Sequence, residues 1–271
     1  MPRVVLGVEY SGGAYAGWQQ QPGKTTVQAA LQNGLSQIAA QPITVHCAGR
    51  TDAGVHAFEQ VAHFDCDVER DVKAWVLGAN SLLPDDVRVL WAQPALADFH
   101  ARYSALARLY RYVIFNRAMK SALNGRHSTW CFHTLNVADM QQAANYLLGE
   151  HDFSSFRAQS CQSLSPKRNM YFVDVQRHGE YVYVDICANA FLHHMVRNIV
   201  GVLLEIGTGK QPPEWVAHLL AVKDRSQAAM TAPPQGLHLA AVYYPECYGI
   251  KLHPLFAKLP KDIKRFEAEQ N

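Results

Sequence analysis

Gly49-Arg50-Thr51-Asp52-Ala53-Gly54-Val55-His56-Ala57 is the most informative stretch of the 271-residue chain. It joins two runs that read as strands, residues 43–47 and 58–66, each rich in β-branched and aromatic residues. Its two glycines permit unusual backbone angles and close approach of a ligand. Gly49 and Gly54 have the spacing of phosphate-loop glycines, but Val55 stands where the lysine belongs and a strand follows instead of a helix, so that reading fails. Local chemistry leaves Asp52 two roles. It is either a turn residue bonding its own backbone or a reactive carboxylate.

Working outward, further strands are expected at residues 3–10, 87–91, 109–115, 170–176, 181–187 and 237–244. Helices alternate with them. Residues 27–39 follow Thr25 and Thr26, either of which suits a cap, and 72–83 is amphipathic. Residues 137–148 have Asn136 as cap and Gly149 as terminator. Residues 191–206 are apolar on nearly every face, which marks a buried helix, and a shorter helix is expected from Pro212 or Pro213. This alternation indicates a mixed α/β or α+β fold. A boundary near residues 96–105 divides it into an N-terminal domain, 1–104, and a C-terminal domain, 105–245, followed by a tail, 246–271, with a helical run at 261–270.

The formal net charge is only +2, so clustering matters more than the total. No Asp or Glu occurs between Asp98 and Asp139, where Arg102, Arg108 and Arg111 alternate with Tyr103, Tyr110 and Tyr112. A second acid-free stretch carries Arg157 and Arg168. Such runs suit a polyanion whose bases stack, and equally a solvated basic face. Six cysteines show no zinc-knuckle or redox spacing. No signal peptide or membrane-spanning stretch is read, and the chain is expected in the cytoplasm.

Arg197 sits inside the apolar 191–206 run, where it must either snorkel to the surface or meet a carboxylate. Tyr110 shares a strand face with Tyr112, as core packing or as a platform for a base. His193-His194 resembles a metal pair, but adjacent helical residues diverge by about 100°, which favours core or edge histidines. His178-Gly179-Glu180 lacks the Cys half of a zinc-deaminase signature, and Gly207–Lys210 reads as a helix end.

Taken together, these segments resemble the TruA family of tRNA pseudouridine synthases from about Arg3 to Tyr244. Gly49–Ala57 looks like the family's catalytic loop. Tyr10-Ser11-Gly12 with Tyr15, Gly17, Trp18, Gln19 and Gln21 looks like its N-terminal motif, with Ser11 where an aspartate is expected. Phe99–Ala105 with Tyr110-Arg111-Tyr112, Gly149–Phe156, Phe191–Gly201 and Ala232–Leu237 match later motifs. The resemblance implies an α+β fold of two α/β-type domains sharing a central, mainly antiparallel sheet with a basic cleft. It implies a homodimer without metal or organic cofactor, and isomerisation of uridine to pseudouridine at positions 38–40 of the tRNA anticodon stem-loop. It makes Asp52 the catalytic carboxylate, Arg197 its ion-pair partner and Tyr110 the ring that stacks on the target base. Arg50, Arg102, Arg157 and Arg168, with Arg108 and Arg111 among the basic runs, are expected at the RNA. Two other classes compete: a non-catalytic RNA-binding protein, and a hydrolase that releases free uracil.

Overall fold

The computed structural model describes residues 2–123 and 125–256. The chain folds as two compact units, one of residues 2–108 with 238–256 and one of residues 109–237. The fold is α+β, and its strand pairs are mainly antiparallel.

In the first unit, β1 (Arg3–Tyr10) lies between β3 (His56–Asp65) and β4 (Val87–Ala95), antiparallel to both. A two-residue β2 (His46–Cys47) adds to β3 through the pair His46↔His63. The late strand β10 (Leu237–Tyr243) runs parallel to β3, pairing His238 with His56. Flanked on both sides, β1 buries Val5, Leu6 and Val8 completely. Helix α1 (Val27–Ala39) starts at Thr26, whose hydroxyl accepts from Ala29 N, and it buries Val27, Leu31 and Leu35. The expected helix at 72–83 contains a π-helical segment, Ala74–Gly78, that passes into α2 (Ala79–Leu82). Trp75 of that segment packs edge-on against Phe64 at 5.0 Å.

In the second unit, strand order runs β5 (Ala107–Asn116), β9 (Tyr181–Ala188), β8 (Lys167–His178), β7 (Gly149–Asp152). β6 (Thr129–Cys131) lies parallel to β5. Asn136 caps α3 (Val137–Asn145), accepting from Ala138 N and Asp139 N. α3 packs on β8 and on α4 (Met195–Gly207), which is buried along most of its length. The helix expected from residue 191 begins only at Met195. His194 has φ 61°, a left-handed conformation that a continuous α-helix cannot contain, so residues 191–194 approach it as a turn. α5 (Trp215–Val222) follows. The expected tail helix at 261–270 lies outside the described residues, and among those described no helix is long and apolar enough to cross a membrane.

Glu59 is an ionisable group inside the first unit's sheet, only 3% exposed. Trp91 lies over Gly7 and donates Nε1 to Glu59 Oε2 at 3.1 Å. Burial raises the carboxyl above the ordinary glutamate range, opposed by the Trp91 hydrogen bond. A carboxyl that holds its proton more tightly folded than unfolded costs stability as pH rises through that interval. Glu59→Gln should therefore stabilise the protein at pH 8 and converge with wild type near pH 4 in urea denaturation. A pH-independent difference would show that the carboxyl does not titrate in this interval.

Candidate functional site

The loop between β2 and β3 is fixed by main-chain hydrogen bonds together with two buried side chains, Gln60 and Tyr10. Gln60, fully buried on β3, accepts from Gly49 N at 3.3 Å and donates to Gly49 O at 2.5 Å. Ala48 N donates to Val61 O at 2.8 Å. Tyr10 and Thr51 share a buried hydroxyl hydrogen bond of 2.7 Å, and Trp18 N donates to Thr51 O at 3.0 Å. The turn closes through Asp52 O and Val55 N at 3.1 Å, with Gly54 at φ 79°. The main chain thus closes the turn that Asp52 occupies, and Asp52 is half-buried while neighbouring Thr51 and Val55 are buried.

Two glycines of the N-terminal motif press against this loop. Gly17 has φ 95°, and a Cβ there would lie 2.7 Å from Thr51 O and 3.0 Å from Asp52 C. A Cβ on Gly12 would lie 1.9 Å from Val55 O. Gly12 N donates to His56 Nδ1 at 3.0 Å, which puts the neutral ring's proton on Nε2. The N-terminus of α1 bonds the same segment, Val27 N to Gly17 O and Gln28 N to Trp18 O. Ser11 N donates to Asp86 O at 2.9 Å, and Tyr15 donates its hydroxyl to the Asp86 carboxylate. Burial and that hydrogen bond raise Tyr15 well above its ordinary range.

In the second unit, α4 holds Arg197 half-buried. Its Nε donates to Ala232 O at 2.8 Å, and Ala232 N donates back to Arg197 O at 3.1 Å. Asn198 donates to Phe156 O at 2.8 Å and accepts from Thr231 Oγ1 at 2.7 Å and Arg225 Nη2 at 3.1 Å. A Cβ at Gly201 would fall 2.1 Å from Met230 O, so the 230–232 segment lies directly on the helix. Three separated motifs therefore converge on one turn of α4. Tyr110 is 8% exposed and meets Phe191 edge-on at 5.0 Å. Tyr112, on the same strand face, is core. Its hydroxyl bonds Thr129 Oγ1 at 2.6 Å and Pro233 O at 2.8 Å, and burial raises its pKa.

The arginines divide into two groups. Arg50 and Arg102 are exposed. Arg157 donates to Cys161 O and Ser163 O, and Arg168 reaches Ser163 Oγ, so these two converge on residues 161–163. Arg111 is committed to Asp185 by two hydrogen bonds of 2.7 Å. Arg108 donates to Ala48 O, Arg102 O and Ala105 O, a staple from β5 to the stem of the Asp52 loop. Arg108, Arg111, Arg157 and Arg168 were all expected at RNA, and all four have internal partners. His193 and His194, expected on a helix, precede it with rings 4.0 Å apart, and His193 Nδ1 bonds Ser160 Oγ at 3.1 Å. Sequence reasoning missed Gln60 and Asn198 as positioning residues, since no local pattern marks a tertiary hydrogen bond, and Phe191, whose ring contact with Tyr110 is likewise tertiary.

The sequence profile of the family described as tRNA pseudouridine synthase matches residues 7–104 and 143–245, more than half of the chain. The protein named tRNA pseudouridine synthase A of Methylococcus capsulatus is 55% identical over 267 residues, covering 98% of each chain. That of Shewanella amazonensis is 55% identical over 257 residues, covering 94% of this chain and 98% of its own. The protein of the same name in Shigella boydii is 52% identical over 253 residues, covering 93% and 94%.

Gly17 and Gly13 offer a paired test of the loop's packing. Gly17→Ala adds left-handed strain and a backbone collision, together at least about 2 kcal/mol of destabilisation. Gly13→Ala enters open space and should be near neutral. Equal denaturation midpoints for the two variants would contradict the packing described.

Proposed function

The chain belongs to the tRNA pseudouridine synthase family, and on that premise we propose that it isomerises uridine to pseudouridine at positions 38–40 of the tRNA anticodon stem-loop. The observation that carries this reading is the Gly49–Ala57 loop, held by neighbouring main chain and by the Gln60 and Tyr10 side chains, with the half-buried Asp52 at its turn.

In the proposed reaction the N1–C1′ bond breaks, the detached uracil turns, and a C5–C1′ bond forms. The C5 proton departs and N1, which carries none in uridine, gains one, so substrate and product are isomers. No electrons are transferred and no group leaves, so the atom balance requires neither metal nor organic cofactor. Asp52 acts at the sugar, by attacking C1′ or by removing a sugar proton on a glycal route, and both routes need an ionised carboxylate. Arg197 is assigned as its ion-pair partner, because a guanidinium keeps a carboxylate charged and oriented. Its anchoring to Ala232 O supports a fixed presentation. Tyr110 is assigned to stack on the target base, offsetting the few kcal/mol of leaving the helix stack. Arg50, Arg102, Arg157 and Arg168 are assigned to phosphates. The enzyme is proposed to act in the cytoplasm as a homodimer.

Incubation with an unmodified tRNA transcript, followed by derivatisation and mass mapping of nucleosides, tests the assignment. Pseudouridine confined to positions 38–40 is expected. Free uracil would identify a hydrolase, pseudouridine elsewhere would refute the site, and no product would refute the activity.

A further inference from the structure

An aromatic cluster in the first unit takes no part in the chemistry proposed above. His46 and His63 face each other across β2 and β3 with rings stacked at 5.1 Å. His100 meets His63 edge-on at 4.6 Å, and Tyr103 lies on His100 at 4.4 Å. The Arg102 guanidinium stands 5.5 Å from the Tyr103 ring centre. The inner members are buried or half-buried, yet Tyr103 is 74% exposed, with Arg102 and His46 exposed beside it.

The segment carrying Arg102 and Tyr103 is held firmly. His63 Nδ1 accepts from Ala101 N and His100 Nδ1 accepts from Arg102 N, both at 3.1 Å. Ser104 Oγ accepts from His100 N, and Tyr244 donates to Ala101 O at 2.6 Å. These acceptors require unprotonated Nδ1 atoms. Burial, aided by His100, Arg3 and His46, pushes His63 down to about 3, and burial likewise lowers His100. Arg108 ties Arg102 O to Ala48 O, immediately before Gly49 and Arg50. Arg50 and Arg102 also share a neighbour: burial pushes the Cys47 thiol up to about 12, and these two guanidiniums pull against it. The exposed ring therefore sits on a rigid base beside the Arg102 guanidinium, in a stretch without acidic residues from 99 to 138.

An exposed tyrosine ring with a guanidinium beside it has the chemistry that receives an unpaired nucleobase with its phosphate. We propose that Tyr103, flanked by Arg102, is a stacking platform for an unpaired nucleobase of the tRNA, separate from Tyr110. The inference rests on the reading of tRNA as substrate. Tyr110 is 8% exposed and lies against Phe191, whereas Tyr103 belongs to the other unit and stands in solvent. The platform contributes to binding and not to the isomerisation step.

The test uses the full chain and an unmodified tRNA transcript, with Kd measured across a salt series and single-turnover rates at saturating enzyme. Tyr103→Ala should raise Kd roughly ten- to a hundredfold and leave the salt slope and the saturating rate within twofold. Tyr103→Trp should bind at least as well as wild type. Arg102→Gln should instead flatten the log–log salt slope by roughly 0.7–0.9. Unchanged tRNA affinity in Tyr103→Ala overturns the platform, and leaves this surface to a protein partner or to water. A reduced saturating rate at unchanged Kd also overturns it. Tyr103-dependent tRNA binding by a wild-type chain that makes no pseudouridine supports the platform while refuting the catalytic reading.

Discussion

The backbone at Gly17 approaches Thr51 and Asp52 so closely that no side chain fits between them. Most of what surrounds the Asp52 loop follows from that contact. Gly17 must adopt φ 95°, which orients Trp18 N toward Thr51 O and lets α1 begin on the carbonyls of Gly17 and Trp18. Tyr10 reaches Thr51 from β1, and Gln60 grips Gly49 from β3. A loop normally pays conformational entropy when it is ordered by its ligand. Here the cost falls on folding, so the main chain that carries Asp52 is held in place without substrate.

The second unit solves the same problem with a helix. Arg197 is a long, flexible side chain, and its fixity comes from a neighbouring strap, residues 230–232, that lies on Gly201 and exchanges two hydrogen bonds with Arg197. Asn198 secures the strap at Thr231 and joins it to Phe156. Motifs distant in sequence act here as one support, which explains why glycine and small polar residues recur among them. Tyr112 and Tyr110 divide the work along one strand face: the Tyr112 hydroxyl is locked into the core, while the Tyr110 ring, itself buried, lies edge-on against Phe191.

Much of this was legible in the sequence where the signal was local and strong. β1 and α1 begin and end where their patterns indicate, and Asn136 caps α3 as expected. β6 and β7 were not legible, because three or four residues carry too little alternation to stand out from a loop. The start of α4 was placed four residues early, since apolar character continues through Phe191 and Leu192 while the left-handed turn at His194 leaves no compositional mark. The roles of Arg108 and Arg111 escaped for a related reason. A basic run looks the same whether its charges face solvent, Asp185 or a carbonyl. Asp52, Arg197 and Tyr110 emerged only through the ordered set of motifs, because each alone admits a common structural explanation.

The central claim is that the loop presents Asp52 as the reactive group and that its carboxylate, not its shape, drives the isomerisation. The most direct measurement is single-turnover pseudouridine formation by Asp52→Asn, with tRNA affinity determined on the same preparation. An amide preserves the volume and the main-chain turn but is neither nucleophile nor base. The rate should fall by at least about a thousandfold, with Kd within a few-fold of wild type. A rate within tenfold of wild type at equal affinity would contradict the account and require a different residue for the chemistry.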